Sequence, residues 1–231
     1  MDIEKMLVWM LLCISRVLGW TDMKEKLFSF PKQSSTSYVE LFPELSGPFE
    51  EATVCMRFHS DLTRGYSLFS LSTRSKSNDF LLYYFPGSNK FSLSVSDIHR
   101  YNILQGNNFT EWTSICVTWN SSVGSVWIDG KKYNIDRTAN VTIGADPIII
   151  IGQEQDSYGG GFETSQSFVG EITNVHMWDK ALTDNNIIDY CADNEISGNV
   201  INWNALRYNL TGNVNTLLYV DPYPCEPVYS L

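Results

Sequence analysis

The segment Phe91-Ser92-Leu93-Ser94-Val95 alternates apolar and small polar residues without a break. Successive side chains of a strand point to opposite faces, so this period buries one face only if the chain is extended. The same signature recurs along the chain between turn signals. Asn78 to Phe85 is a strongly apolar run opened by Asn78-Asp79, and Pro86-Gly87-Ser88-Asn89 joins it to the alternating segment as a hairpin turn. Ser125 to Ile128 and Lys131 to Ile135 flank Asp129-Gly130, the strongest local hairpin signal in the chain. Gly65 to Ser72 alternates with Tyr66, Leu68 and Ser70 on one face. Tyr38 to Leu41, Ala52 to His59, Trp112 to Trp119, Ile148 to Ile151 and Ser167 to Trp178 read as further strands. Thr21 to Pro31 reads as an edge strand stopped by Pro31. Val200 to Trp203 and Leu217 to Val220 are strand-like. One helix is expected, over Leu182 to Tyr190, with Thr183 as N-cap and Asp184 in the first turn. Many short strands and a single helix predict an all-β fold, one antiparallel sandwich.

Composition narrows the function classes. The 231 residues are 43% hydrophobic and 18% charged, enough for one sizeable core. The net charge of −10 argues against nucleic-acid binding, which leaves a basic footprint, and against docking to anionic membranes. It fits a solvated surface and a cation-binding face.

Residues 1–19 read as a signal peptide, with Met6 to Ile14 as its apolar core and Val17-x-Gly19 as a cleavage site. No later stretch approaches twenty apolar residues, so no membrane span is expected. The protein is expected to be secreted, with one domain over 20–221 and a tail over 222–231. Without the signal peptide, Cys55, Cys116, Cys191 and Cys225 remain, which allow two disulfides and three connectivities. Asn108, Asn120, Asn140 and Asn209 each open an N-glycosylation sequon.

Gly152 to Gln166 stands apart. Glu154, Asp156 and Glu163 supply three carboxylates, Gln155 and Gln166 two amides, and Gly159-Gly160-Gly161 lets the chain turn back. Hard oxygen donors without His or Cys suit calcium far better than zinc or copper. A divalent cation would relieve the repulsion among the carboxylates. A polar surface loop with nothing bound is the other reading of the same residues.

Ser114 to Ser121 resembles the signature of the pentraxin family: His, any residue, Cys, any residue, Ser or Thr, Trp, any residue, Ser or Thr. Ser114 stands where that pattern has His. Thr21-Asp22-Met23, Phe30-Pro31-Lys32, Arg64 to Ser67, Trp127 to Lys131, Gly152 to Ser157, Ser165-Gln166-Ser167 and Asn174 to Asp179 are similar to pentraxins as well. The resemblance spans about residue 21 to about 219. It implies a two-sheet jelly roll with the helix packed on one face, a homopentamer, and two calcium ions per protomer on the opposite face. Phosphate- or carboxylate-bearing ligands and polysaccharides then bridge to the ions.

By the same resemblance, Glu154, Asp156, Glu163 and Gln166 are calcium ligands, Gln155 ligates through its backbone carbonyl, and Asn78 and Asp79 complete the set. The family usually reads Asp-Asn at that pair, so the order here is reversed. Tyr84 and Ser94 fall at the pocket that packs on the organic part of the ligand. Some members place an acidic residue against choline. Here the region reads Ser96-Asp97-Ile98-His99-Arg100, with His99 closest to the aligned position. Cys55 and Cys116 match a family disulfide joining two strands across the core. Cys191 and Cys225 are additional, and an intrachain bridge pinning the tail is expected. Asp129 and Tyr190 match positions linked to complement recognition.

These expectations describe a calcium-dependent, lectin-like recognition protein of the innate, acute-phase type, and not an enzyme. A laminin-G-like adhesion module shares the sandwich and binds calcium, but Gly152 to Ser157 matches the pentraxins over six residues. A sandwich glycosidase needs an acid and a partner carboxylate at a set separation. Beyond Glu154-x-Asp156 the strand pattern would require a carboxylate at Tyr158 or Gly159, and neither is one. His59, His99 and His176 are the only histidines, and no nucleophile elbow accompanies them.

Overall fold

The computed structural model describes residues 19–103, 109–120, 123–135, 141–194 and 196–219. The strands are β1 (Lys26–Phe30), β2 (Tyr38–Leu41), β3 (Glu51–His59), β4 (Tyr66–Thr73), β5 (Lys76–Phe85), β6 (Lys90–Val95) and β7 (Ile98–Ile103). They continue with β8 (Thr113–Asn120), β9 (Val123–Ile128), β10 (Lys131–Ile135), β11 (Ile148–Ile151), β12 (Gly170–Trp178), β13 (Tyr208–Thr211) and β14 (Asn215–Leu218). The helix α1 is Asp184–Cys191. Two seven-stranded antiparallel sheets run β10-β9-β8-β3-β12-β1-β14 and β13-β2-β11-β4-β5-β6-β7.

Alternation sorts the side chains. On β3, Ala52, Val54, Met56 and Phe58 enter the main core between the sheets, and on β8 so do Ile115, Val117 and Trp119. Cys55, Cys116 and Trp127 point the other way, where Trp178, Ile187 and Tyr190 cover them in a second, smaller cluster. α1 therefore lies on the outer face of the first sheet. Thr183 accepts from the Asn186 N–H and caps it as expected.

Several expectations need correction. β1 is not an edge strand, because β12 and β14 flank it and β14 takes the edge. The Val200 to Trp203 stretch forms only a bridge from Ile201 to Met177 and then a 3-10 turn over Trp203–Ala205. Tyr66, Leu68 and Ser70 do not share a face. A bulge between Ser67 and Phe69 inserts Leu68, so Leu68 and Phe69 both enter the core and Ser70 faces out. The Cys55–Cys116 disulfide forms, but not across the core. It joins directly opposed residues of the neighbouring strands β3 and β8, beneath α1. Closing a loop of 61 residues, it contributes roughly 2–4 kcal/mol in the chain-entropy model. β7 and β13 carry too little apolar alternation to stand out in the sequence.

Cys191 is disulfide-bonded, while Cys225 lies outside the described residues. So do Asn108, Asn140 and residues 1–18. Asn209 is exposed on the edge strand β13, and Asn120 ends β8 half-buried.

Candidate functional site

The outer face of the second sheet, opposite α1, is lined by serines. Ser67, Ser70 and Ser72 of β4 and Ser92 and Ser94 of β6 point away from the core and are buried all the same. The Gly152 to Gln166 loop folds onto the β4 part of this surface. Gln155 is fully buried there. Its Oε1 accepts from Ser72 Oγ at 2.7 Å and from the Gly159 N–H at 3.0 Å, and its Nε2 donates to the carbonyls of Ser70 and Ile148. The side chain is a staple, which leaves only its backbone carbonyl for any other role.

The loop closes on itself. The Phe168 N–H donates to the Gly152 carbonyl at 2.9 Å, and Ser157 and Gly160 exchange backbone hydrogen bonds. Gly161 has φ +78°, and a Cβ there would stand 2.8 Å from Asp156 Cβ. The tight return needs glycine. Arg64 holds the second limb by donating to Ser165 O at 3.0 Å and Ser167 Oγ at 3.3 Å.

The three carboxylates are brought within electrostatic reach of one another. Glu154 is pushed up to about 7, first by burial, then by the negative charges of Asp156 and Glu163, against a lowering hydrogen bond from Asn78. Asp156 is raised by burial and by Glu163. Asn78 Oδ1 and Gln166 Oε1 are buried without a hydrogen-bond partner. Buried polar oxygens are normally satisfied. Two orphaned oxygens beside mutually repelling carboxylates are what a hard cation would satisfy, so the residues fit calcium. Among the described residues no three of His, Cys, Asp and Glu converge tightly enough to hold an ion alone, so the amides belong to any such set.

Asp79 does not join them. It is fully buried, and its Oδ2 accepts from Thr73 Oγ1 at 2.7 Å and the Gly144 N–H at 2.8 Å. Ser96 Oγ lies 3.2 Å and Lys76 Nζ 3.9 Å from Oδ1. The bulge at the start of β5 sends Asn78 to the loop and Asp79 to this inner knot.

Tyr84 also departs from expectation. It packs in the main core against Tyr66, Phe91 and Phe109, and its hydroxyl donates to Asn89 Oδ1 at 2.7 Å. Tyr83, one residue earlier, takes the outer face. Its phenol is raised to about 12, first by burial and then by Glu154, with Arg64 opposing and Glu163 adding. Its ring stands over Gly65, where a Cβ would meet the phenol oxygen at 2.7 Å. Alternation does not by itself separate Tyr83 from Tyr84, but Arg64-Gly65 supplies the residues that support the Tyr83 ring. Ser94 does lie on the outer face, fully buried and 2.5 Å from His99 Nδ1.

Across the molecule, on the α1 side, lies a cleft of about 290 Å³ lined in part by Arg57, Asn174, His176, Tyr190, Asp193 and Tyr219. Burial lowers His176 to about 3, so it stays neutral and accepts from the Gly198 and Trp203 N–H groups. Tyr190 donates to Asn174 O at 2.7 Å. Asp129, in the β9–β10 turn, accepts at Oδ1 from the Ser114 N–H of β8.

The Pentaxin family model matches residues 26–217. The chain belongs to the pentraxin family. Serum amyloid P-component of Mus musculus is 38% identical to this pentraxin over 219 residues, covering 91% of this chain and 96% of that one. C-reactive protein of Homo sapiens is 41% identical over 221 residues, covering 92% and 97%. The heptameric SAP-like pentraxin of Limulus polyphemus superimposes with a TM-score of 0.76 at 23% identity, over 89% of this chain and 99% of that one. The fold and family are those of non-enzymatic recognition proteins of innate immunity. Among the described residues no helix is long and apolar enough to cross a membrane.

Proposed function

We propose that this pentraxin is secreted after cleavage behind Gly19 and recognises phosphate- or carboxylate-bearing ligands through calcium held on the face opposite α1. The observation that carries the reading is the pairing of orphaned oxygens, Asn78 Oδ1 and Gln166 Oε1, with the like-charged Glu154, Asp156 and Glu163. Those five residues and the Gln155 carbonyl would hold the metal. With Asp79 withdrawn, the two expected ions are unequal, and the one that relies on Asn78 is held more weakly. When bound, the ions supply open positions for ligand oxygens. The protein's own residues orient the ligand: Tyr83 offers a phenol face, and Arg64 fixes the loop behind it.

A ring of such protomers would convert weak sites into avidity on a repetitive surface. The name of serum amyloid P-component places that relative in serum, and the Limulus relative is a heptamer. A closed ring, with a pentamer as the expected size, is part of this reading. It would present copies of the α1 face, with the exposed Asp129, for complement, whereas Tyr190 is buried beneath that face.

The test is retention of the secreted protein on immobilised phosphoethanolamine and phosphocholine in calcium, followed by a chelator. Calcium-dependent retention with chelator elution is expected. Retention that ignores the chelator, or none on either matrix, would sink the calcium reading.

A further inference from the structure

The α1-side cleft lies between two fixed points of the chain. Tyr219 follows β14, and its N–H donates to the Glu25 carbonyl at 2.8 Å, so Glu25 and Tyr219 form the side of the cleft next to the sheet edge. Tyr190 and Asp193, at the end of α1, form the opposite side. Arg57 of β3 and Thr173 of β12, directly opposed in the sheet, line the cleft between them.

Cys191 closes α1 on that opposite side. Its carbonyl accepts from Arg57 Nη2 at 3.0 Å, and its Sγ stands 3.7 Å from where a Cβ on Gly130 would be, in the β9–β10 turn. That turn is held against β8 by the Asp129 contact to the Ser114 N–H. Cys191 is disulfide-bonded. Cys55 and Cys116 take each other, and Cys13 falls in the apolar core of the signal peptide, so Cys225 is the partner that remains.

Cys225 comes six residues after Tyr219. The order β8-β3-β12-β1-β14 puts four strand spacings, about 19 Å, between β14 and β8. Six residues span at most about 20–22 Å. The bridge can close only if the chain runs nearly straight over β1, β12 and β3, and the cleft lies on that line. The connecting sequence, Val220-Asp221-Pro222-Tyr223-Pro224-Cys225, suits such a run. Two prolines hold φ at about −65° and favour a stiff, extended chain.

We propose that residues 220–225 are the occupant of this cleft: a strap, held by a Cys191–Cys225 bridge, that keeps any other protein from Arg57 and Thr173 while the bridge is intact. The proposal is independent of the calcium reading. The experiment is hydrogen exchange of the full secreted protein, read by mass spectrometry. In the natural protein the amides of 220–225 are expected to exchange at least about tenfold more slowly than those of 226–231, which lie beyond the bridge. Two variants release the strap in different ways. Cys191→Ser with Cys225→Ser removes the tether. Insertion of two glycines between Tyr223 and Pro224 keeps the tether and adds slack. In both, exchange of 220–225 should rise to the rate of 226–231, and peptide mapping should still recover the bridge in the insertion variant.

Equal exchange of the two segments in the natural protein overturns the proposal. So does slow exchange of 220–225 that persists in the insertion variant, because a strap that is not taut has no need to cross the cleft. Mapping that joins Cys191 to any residue other than Cys225 overturns it as well. The natural protein and the insertion variant decide the matter even if the double serine variant does not fold.

Discussion

Asp79→Asn separates a structural carboxylate from a metal ligand. The change keeps the shape and replaces one acceptor by an NH2 donor. Both oxygens of Asp79 face donors: Thr73 Oγ1 and the Gly144 N–H at Oδ2, Ser96 Oγ and Lys76 Nζ at Oδ1. Whichever way the amide turns, a donor meets a donor at full burial. Hydrogen bonds to charged groups contribute about 1.5–3 kcal/mol each, and a buried group left unsatisfied costs about 1–3 kcal/mol. The Lys76 contact is partly exposed and adds little. The expected loss is about 2–4 kcal/mol. For a domain of this size, 1 kcal/mol moves Tm by about 2–4 °C, so a fall of roughly 5–15 °C is expected in metal-free thermal unfolding. Calorimetric titration should return the same number of calcium ions as the natural protein. An unchanged Tm together with one calcium ion lost would refute the reasoning and make Asp79 a ligand.

Glu154 gives a pH dependence with a definite sign. Its carboxyl is raised from 4.5 to about 7, so the metal-free protein is relieved of the charge below about pH 4.5 and loses stability as pH rises through about 7. Calcium binds the ionised form, so its affinity should fall as pH drops from 8 to 6. A Glu154→Gln protein that keeps the metal-free stability slope would contradict this. Tyr84→Ala should cost about 3–5 kcal/mol of stability as a core truncation. Tyr83→Ala should instead abolish retention on phosphoethanolamine with a smaller loss of stability. The reverse pattern would mean that β5 is out of register. Peptide mapping under non-reducing conditions should recover Cys191 linked to Cys225 within a chain that migrates as a monomer. A dimer band would place that bridge between protomers.

The hairpin around Asp129-Gly130, the turn at Pro86 to Asn89 and the Thr183 cap were legible because each depends on residues within a few positions of one another. The turn-back of the acidic loop was legible because three consecutive glycines permit it, whatever surrounds it. The sequence resemblance identified the partner of Cys55, but only the strand order shows that Cys116 is its direct neighbour on β8 beneath α1 and not a residue across the core. Alternation alone could not place Tyr83 and Tyr84. Two adjacent tyrosines suit either phase, and one residue of register exchanges the core for the ligand face. The bulges in β4 and in the β4–β5 pairing, which set that register, have no signature in composition. Asp79 is the sharpest case. It stands beside Asn78 in the sequence, yet its decisive partner is the N–H of Gly144, 65 residues away. Local chemistry wrote the strands, the turns and the list of oxygen donors. Which donors face outward was decided by backbone groups that only the folded sandwich brings together, because a buried carboxylate goes where donors desolvate with it.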